Sequence, residues 1–164
     1  MKLFRKIRLY LLRFLVFIQT SNKNSFNLYV NKFSRFTKNT KFGNNNHFNG
    51  CEIYGYGKVT FGDNFHSGKG LKFLTTYHNY KGKKIPYDET YIIKDINIED
   101  NVWIGMDVTV LGGVNIGEGA IIQAGSVVVN DVEKMAIIGG APAKQFSCRN
   151  SEHYYDLKKQ KNFF

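Results

Sequence analysis

The stretch INIEDNVWIGMDVTVLGGVNIGEGAIIQAGSVV, residues 96–128, decides the fold. Within it Ile98, Ile104, Val110, Ile116, Ile122 and Val128 recur every six residues without exception. Two places before each stand Ile96, Val102, Val108, Val114, Ala120 and Ser126, apolar or small, and Gly105 and Gly117 directly follow two of the aliphatic positions. Residues two apart in a strand share a face, so each unit supplies a short strand with two inward side chains and then a turn. A sixfold period fits neither an amphipathic helix nor a hairpin meander. It predicts an all-β parallel coil with three flat faces per turn.

Upstream the register is looser. Phe42, Phe48 and Tyr54 are six apart, and after a one-residue slip Phe61, Ser67 and Phe73 resume the spacing. Aromatics at these positions predict wide early coils. The seventeen Asn suit corners that need left-handed backbone angles. Between Phe73 and Ile98 the period is interrupted, so a loop at about 75–95 leaves the coil, and it contains His78. The expected organisation is a helix and cap over 1–40, coils over 41–132 and a C-terminal extension over 133–164. The pairs Tyr154–Tyr155 and Phe163–Phe164 predict that the extension packs on something, such as a neighbouring subunit.

The 164 residues suit one domain. Lys plus Arg number 23 against 13 Asp plus Glu, a net charge of +10, but residues 1–50 hold ten bases and no acid while the remainder balances. A uniformly basic nucleic-acid binder is therefore disfavoured. Cys51 and Cys148 stand far apart without a CxxC, which predicts reduced thiols and a cytoplasmic setting. The N-terminus carries an apolar stretch from Leu9 to Ile18, but Arg13 interrupts it. Downstream, Thr20, Ser21, Asn22, Lys23 and Asn24 offer no small-x-small cleavage site, so secretion and spanning are not expected. At 100° per residue Leu3, Phe4, Ile7, Leu11, Phe14, Leu15 and Ile18 form one apolar arc. Lys2, Lys6 and Arg13 cluster opposite, with Leu9, Leu12 and Val16 diluting the polar side. Such a helix packs on the domain or a neighbouring subunit, or residues 1–20 lie on an anionic inner leaflet.

The run from Ile98 through "GGAPAK" resembles the C-terminal signature of hexapeptide-repeat acyltransferases, and "HNYKGKKIPYDETYIIKDINI" resembles the inserted loop of their sugar and polysaccharide O-acetyltransferase branch. The resemblance covers Val59 to Lys144 well and the first 58 residues poorly. It implies a left-handed parallel β-helix, a homotrimer with active sites between subunits, acetyl-coenzyme A as co-substrate and no metal. It also implies a saccharide acceptor, His78 as the catalytic base, and Trp103 beside the pantetheine arm. Gly105, Ala124, Gly125 and Ser126 match small positions where backbone approaches the cofactor, and Lys144 is expected near its phosphates. Asn79 and Tyr80 are candidates to orient His78 or touch the acceptor. Asp88 is counted with them as substrate-binding, and Asp88 and Glu89 are candidates to hold the second nitrogen of His78, or are solvated loop charges. Gln123 stands where the family usually has Gly.

The chemistry is coherent: a neutral imidazole can take a hydroxyl proton near neutral pH, and the absence of a cysteine motif leaves direct attack in a ternary complex. Three other readings compete. One is acetylation of a small molecule such as an antibiotic or amino acid. Another is a γ-carbonic-anhydrase-like metal enzyme, for which His47 and His66 would stack one coil apart but lack a third ligand. The last is nucleic-acid binding through "NKFSRFTKNTKF", against which an irregular cap on the first coil is preferred.

Overall fold

A computed structural model describes residues 2–20 and 27–164, with side chains from Lys6 onward in the first helix. The expectations for Ser21, Asn22, Lys23 and Asn24, and for the side chains of Lys2, Leu3 and Phe4, fall outside those described. The chain is a left-handed parallel β-helix of about six turns with a helix at each end. Helix α1 (Lys2–Gln19) precedes the first coil, formed by β1 (Leu28–Val30), a bridge at Arg35 and β2 (Thr40–Phe42). The second coil is β3 (Asn46–Phe48), β4 (Cys51–Tyr54) and β5 (Val59–Phe61). In the third, β6 (His66–Ser67) and β7 (Leu71–Leu74) are followed by a hairpin, β8 (Thr76–His78) with β9 (Tyr91–Ile93), before β10 (Ile96–Ile98). The fourth is β11 (Trp103–Ile104), β12 (Thr109–Leu111) and β13 (Asn115–Ile116), and the fifth β14 (Ile121–Ile122), β15 (Val127–Val128) and a bridge at Val132. β16 (Ala136–Gly140) starts a sixth coil, and β17 (Ala143–Cys148) turns back antiparallel along it into α2 (Ser151–Lys159).

Stacking of equivalent strands makes three faces. The first is β1-β3-β6-β11-β14-β16-β17, the second β4-β7-β12-β15 and the third β2-β5-β10-β13. The inward pairs fill the prism between them: Ile98, Ile104, Val110, Ile116, Ile122 and Val128 are all buried, as the period demands. The early coils are filled by phenylalanines, with Phe36, Phe42 and Phe48 meeting edge to face at 5.0–5.6 Å. Since Phe36 and Phe42 pack in this cluster, "NKFSRFTKNTKF" keeps its cations at the surface without the row of exposed rings that base stacking needs. The asparagine corners are left-handed, with φ of 54°, 56° and 60° at Asn45, Asn64 and Asn101. Their amides run as a ladder, Asn45 Nδ2 donating to Asn64 Oδ1 (3.0 Å) and Asn64 Nδ2 to Asn101 Oδ1 (2.9 Å).

The bounds of the coils, one inward position and the packing of α1 need correction. The coils begin at Leu28 rather than after residue 40, because Leu28/Val30 and Ser34/Phe36 are inward pairs of the same six-residue register. They also run on past residue 132, since β16 adds to β14 through Ile137 and Ile138. Ile53 rather than Tyr54 points inward, because the corner at Gly50 (φ +114°) is one residue short. The third correction concerns α1. Val16 and Leu12, from the side taken as dilution, close the end of the first coil, while the larger arc through Ile7, Leu11, Phe14, Leu15 and Ile18 faces solvent.

The C-terminal extension packs on its own chain. The Tyr154 hydroxyl donates to Glu118 (2.8 Å) and accepts from Asn101 Nδ2 (2.9 Å), while Lys158 pairs with Glu118. Burial alone would raise the Glu118 carboxyl, but the hydrogen bonds from Lys158 and Tyr154 outweigh it and hold the group below its ordinary range. Phe164 reaches the first face, its ring 5.1 Å from His66 and its carbonyl accepting from Asn45 Nδ2 at 2.8 Å.

Candidate active site

The loop that carries His78 leaves the edge between the second and third faces. Its base is stitched shut. Thr75 is buried, its hydroxyl donates to the Tyr54 carbonyl (2.9 Å), and its own carbonyl accepts from the returning Lys94 N–H (2.9 Å). The Gly112 N–H donates to the Tyr77 hydroxyl oxygen, which anchors β8 to the fourth coil. Short strands with β-branched residues on either side, Thr76 against Ile93, extend this base into a hairpin that sets His78 opposite Tyr91. The exposed imidazole stacks on Tyr87 at 3.9 Å and 16°, with Tyr91 at 5.2 Å on its flank. Two aromatic walls thus restrict the ring's orientation. The hairpin's alternation was the available signal for Tyr91, whereas nothing in the sequence pointed to Tyr87.

Beyond His78 the loop is held by its own polar groups. Asn79 Nδ2 donates to the Thr90 hydroxyl (3.1 Å), and Asn79 Oδ1 accepts from the Lys81 N–H (3.1 Å). Asp88 accepts from the N–H groups of Lys83 (2.9 Å) and Thr90 (3.0 Å) and from the Thr90 hydroxyl. These bonds, the Thr90 hydroxyl first, hold its carboxyl below the usual range. Asp88 is therefore engaged in shaping the loop rather than in pairing with His78. Glu89 pairs with Lys84 at 2.9 Å. Tyr80 is exposed, and Ile85 stands out from the loop, 99% exposed.

The residues expected around the cofactor gather elsewhere, on the first face and the edge between the first and second faces. Trp103 lies outward on β11 and is 52% exposed. It continues an aromatic column that starts with Tyr29 stacked on His47 (4.3 Å) and His47 on His66 (4.8 Å), His66 being in register with Trp103. A cavity of about 520 Å³ lies along the column beneath α2 and the tail. Burial lowers the pKa of both imidazoles, and at His47 the neighbouring His66 lowers it further. Among the described residues no group of three or more His, Cys, Asp or Glu could hold a metal.

The small positions at the edge differ from one another. A Cβ on Gly105 would sit 2.6 Å from the Ala124 nitrogen, so that glycine is demanded by the next coil's backbone. At Gly125, with φ +73°, a Cβ would meet nothing within 4 Å, so the space beside it is open to a ligand. Ala124 is exposed with it. Ser126, expected at the cofactor, instead turns its side chain inward, where its hydroxyl donates to the Gln123 carbonyl at 2.6 Å. Gln123 is accommodated because Gly139 of the next coil leaves room for its side chain. Lys144 is exposed on β17. An open corner, an exposed indole and an exposed cation fit the apolar arm and anionic end of a coenzyme A ester. Within one chain they occupy a different edge of the prism from His78.

The family model described as bacterial transferase hexapeptide (six repeats) matches residues 95–130. A solved hexapeptide-repeat-containing acetyltransferase from Vibrio cholerae superposes with a TM-score of 0.63 at 30% identity, covering 72% of this chain and 67% of that one. The same Vibrio cholerae protein has been solved in complex with acetyl-coenzyme A. A galactoside acetyltransferase in complex with coenzyme A gives a TM-score of 0.61 at 25% identity, covering 77% and 66%. The chloramphenicol acetyltransferase of Morganella morganii is 44% identical over 63 residues, 38% of this chain and 30% of that protein. The chain spans less than half the length of the curated relatives it matches.

Proposed function

The chain belongs to the hexapeptide-repeat acyltransferases, and on that premise we propose that it is an O-acetyltransferase acting on a sugar or cell-surface polysaccharide precursor. The observation that carries the mechanism is His78, exposed at the root of an anchored hairpin with Tyr87 stacked on its ring. Acetyl-coenzyme A supplies an activated acyl carbon. The imidazole of His78 takes the proton from the acceptor hydroxyl as that oxygen bonds to the acyl carbon, the carbon–sulfur bond breaks, and the thiolate leaves to be protonated. Asn79 and Tyr80 border the acceptor, with Asp88 keeping the loop in shape. Trp103, Ala124, Gly125 and Lys144 line the cofactor, Gly105 and Ser126 supporting that corner from behind.

In this reading the site forms between subunits of a homotrimer. The support is geometric: the loop and the corner stand on different edges, so a loop from one subunit reaches the corner of the next. The protein works in the cytoplasm, with residues 1–20 in peripheral contact with the inner membrane face. The similarity to a chloramphenicol acetyltransferase favours a second reading, a small-molecule acceptor, and a screen of saccharides against chloramphenicol-like alcohols distinguishes the two. His78→Ala should lower kcat at least about 100-fold while acetyl-coenzyme A binding stays within a few-fold of the parent. Parental turnover in that variant would overturn the mechanism.

A further inference from the structure

Helix α1 has two apolar sides, and the fold uses one. Val16 and Leu12 close the prism, and polar side chains of the same helix cover the backbone of the first coil. Arg13 Nε donates to the Leu28 carbonyl (2.6 Å), and Gln19 Oε1 accepts from the Phe36 N–H (2.9 Å). The helix thus lies across the end of the β-helix and shields what would otherwise be an open coil edge. On the side turned away, Ile7, Tyr10, Leu11, Phe14, Phe17 and Ile18 are 47–72% exposed. A continuous apolar face of this size is unusual on a surface that meets only water.

We propose that this face is a docking surface for an anionic lipid bilayer, with α1 lying flat in the headgroup region. It deepens the peripheral-contact reading given above by naming the face and the orientation. Two observations select lipid over a second copy of the chain. At 100° per residue Lys6 and Arg8 fall about 100° to either side of Ile7, so cations border the apolar arc on both flanks, although Arg8 Nη2 also donates to the Asn31 carbonyl of the first coil at 3.3 Å. Lys6 is thus the cation placed to reach an anionic headgroup while the apolar residues enter the acyl boundary. And since α1 itself carries five bases and no acid, two such helices meeting face to face would bring like charges together. No helix among the described residues is long and apolar enough to cross a membrane, which is consistent with lying on it.

The orientation has a functional consequence. Coils rise about 4.8 Å each, so the root of the His78 loop, two coils above the first, stands roughly 10 Å from the coil that α1 covers. With the breadth of α1, about 10 Å, between coil and bilayer, the site stands about 20 Å above the surface, within reach of a saccharide extending from its lipid. In a parallel trimer three such helices share one end, and their binding multiplies.

Sedimentation with vesicles tests this without any substrate, so its failure leaves the acetyltransferase assignment untouched. The probes are vesicles of phosphatidylcholine alone and with about one-third phosphatidylglycerol, at low and high salt. The parent should bind the anionic vesicles at least about tenfold better, and lose most of that at high salt. Leu11→Glu with Phe14→Glu should abolish binding while leaving the thermal midpoint unchanged. Lys6→Glu, which alters no packing, should weaken binding only to the anionic vesicles, by about tenfold or more. Equal binding to both vesicles, or binding indifferent to these changes, overturns the proposal. So does self-association in solution that the double variant abolishes without any vesicle binding, since the face would then belong to a second copy.

Discussion

Gly105 and Gly125 occupy neighbouring coils at the same edge, yet the constraint on each is different. Gly105 is enforced by the backbone of Ala124, which cannot move without shifting a coil, whereas Gly125 is enforced only by its own positive φ. Gly105→Ala should therefore cost about 1–3 kcal/mol of stability through overpacking. Gly125→Ala should cost about 1–2 kcal/mol through backbone strain and, in addition, raise KM for acetyl-coenzyme A, since its Cβ enters the open corner. Thermal unfolding and steady-state kinetics on the two variants separate these effects; an unchanged KM in Gly125→Ala would remove that corner from the cofactor site. The six-residue register already turns Ser126 inward, two places before Val128, against its match to a cofactor position. What separates the two glycines is the backbone that the next coil brings against each, and that information sits some eighteen residues away along the chain.

At the level of elements, the six-residue spacing over 96–128 made every strand from β10 to β15 legible, and the looser upstream register set His47 one coil from His66, on which it stacks. The first coil was hidden although its period is intact through Val30, Phe36, Phe42 and Phe48. Its companion positions are Ser34, Thr40 and Asn46, polar residues that the coil nonetheless buries, with the Ser34 hydroxyl accepting from the Cys51 N–H at 3.1 Å. Helix α2 was hidden because no residue of it is buried; an Asn150 cap that accepts from the His153 N–H at 2.9 Å starts it. The β3–β6 histidine pair makes the stability of these coils sensitive to pH. Both imidazoles have folded-state pKa values below the ordinary 6.5, so the unfolded chain binds protons first as pH falls. Stability is then full above 6.5 and is lost as pH drops through 6.5 toward the lower folded values. Thermal midpoints between pH 8 and 5 should fall more steeply for the parent than for His47→Gln/His66→Gln, and parallel curves would refute this.

For the whole molecule, the separation of the His78 loop from the Trp103–Gly125 edge predicts a complementation result. His78→Ala subunits and Gly125→Trp subunits should each be inactive alone. Co-assembled in equal amounts, they should regain about a quarter of parental activity, the fraction of random interfaces that join an intact loop to an intact corner. No recovery in demonstrably mixed trimers would put the entire site within one chain. The folding of α2 and the tail back over the first face has a different consequence. A stack of coils in which each touches only its neighbours can fray from either end, one coil at a time. Here Tyr154 and Lys158 grip the fourth and fifth coils through Asn101 and Glu118, and the Phe164 carbonyl is bonded to Asn45 in the second, 119 residues earlier. Releasing the last segment therefore loosens contacts to early and late coils alike, so that fraying at one end of the repeat is coupled to fraying at the other.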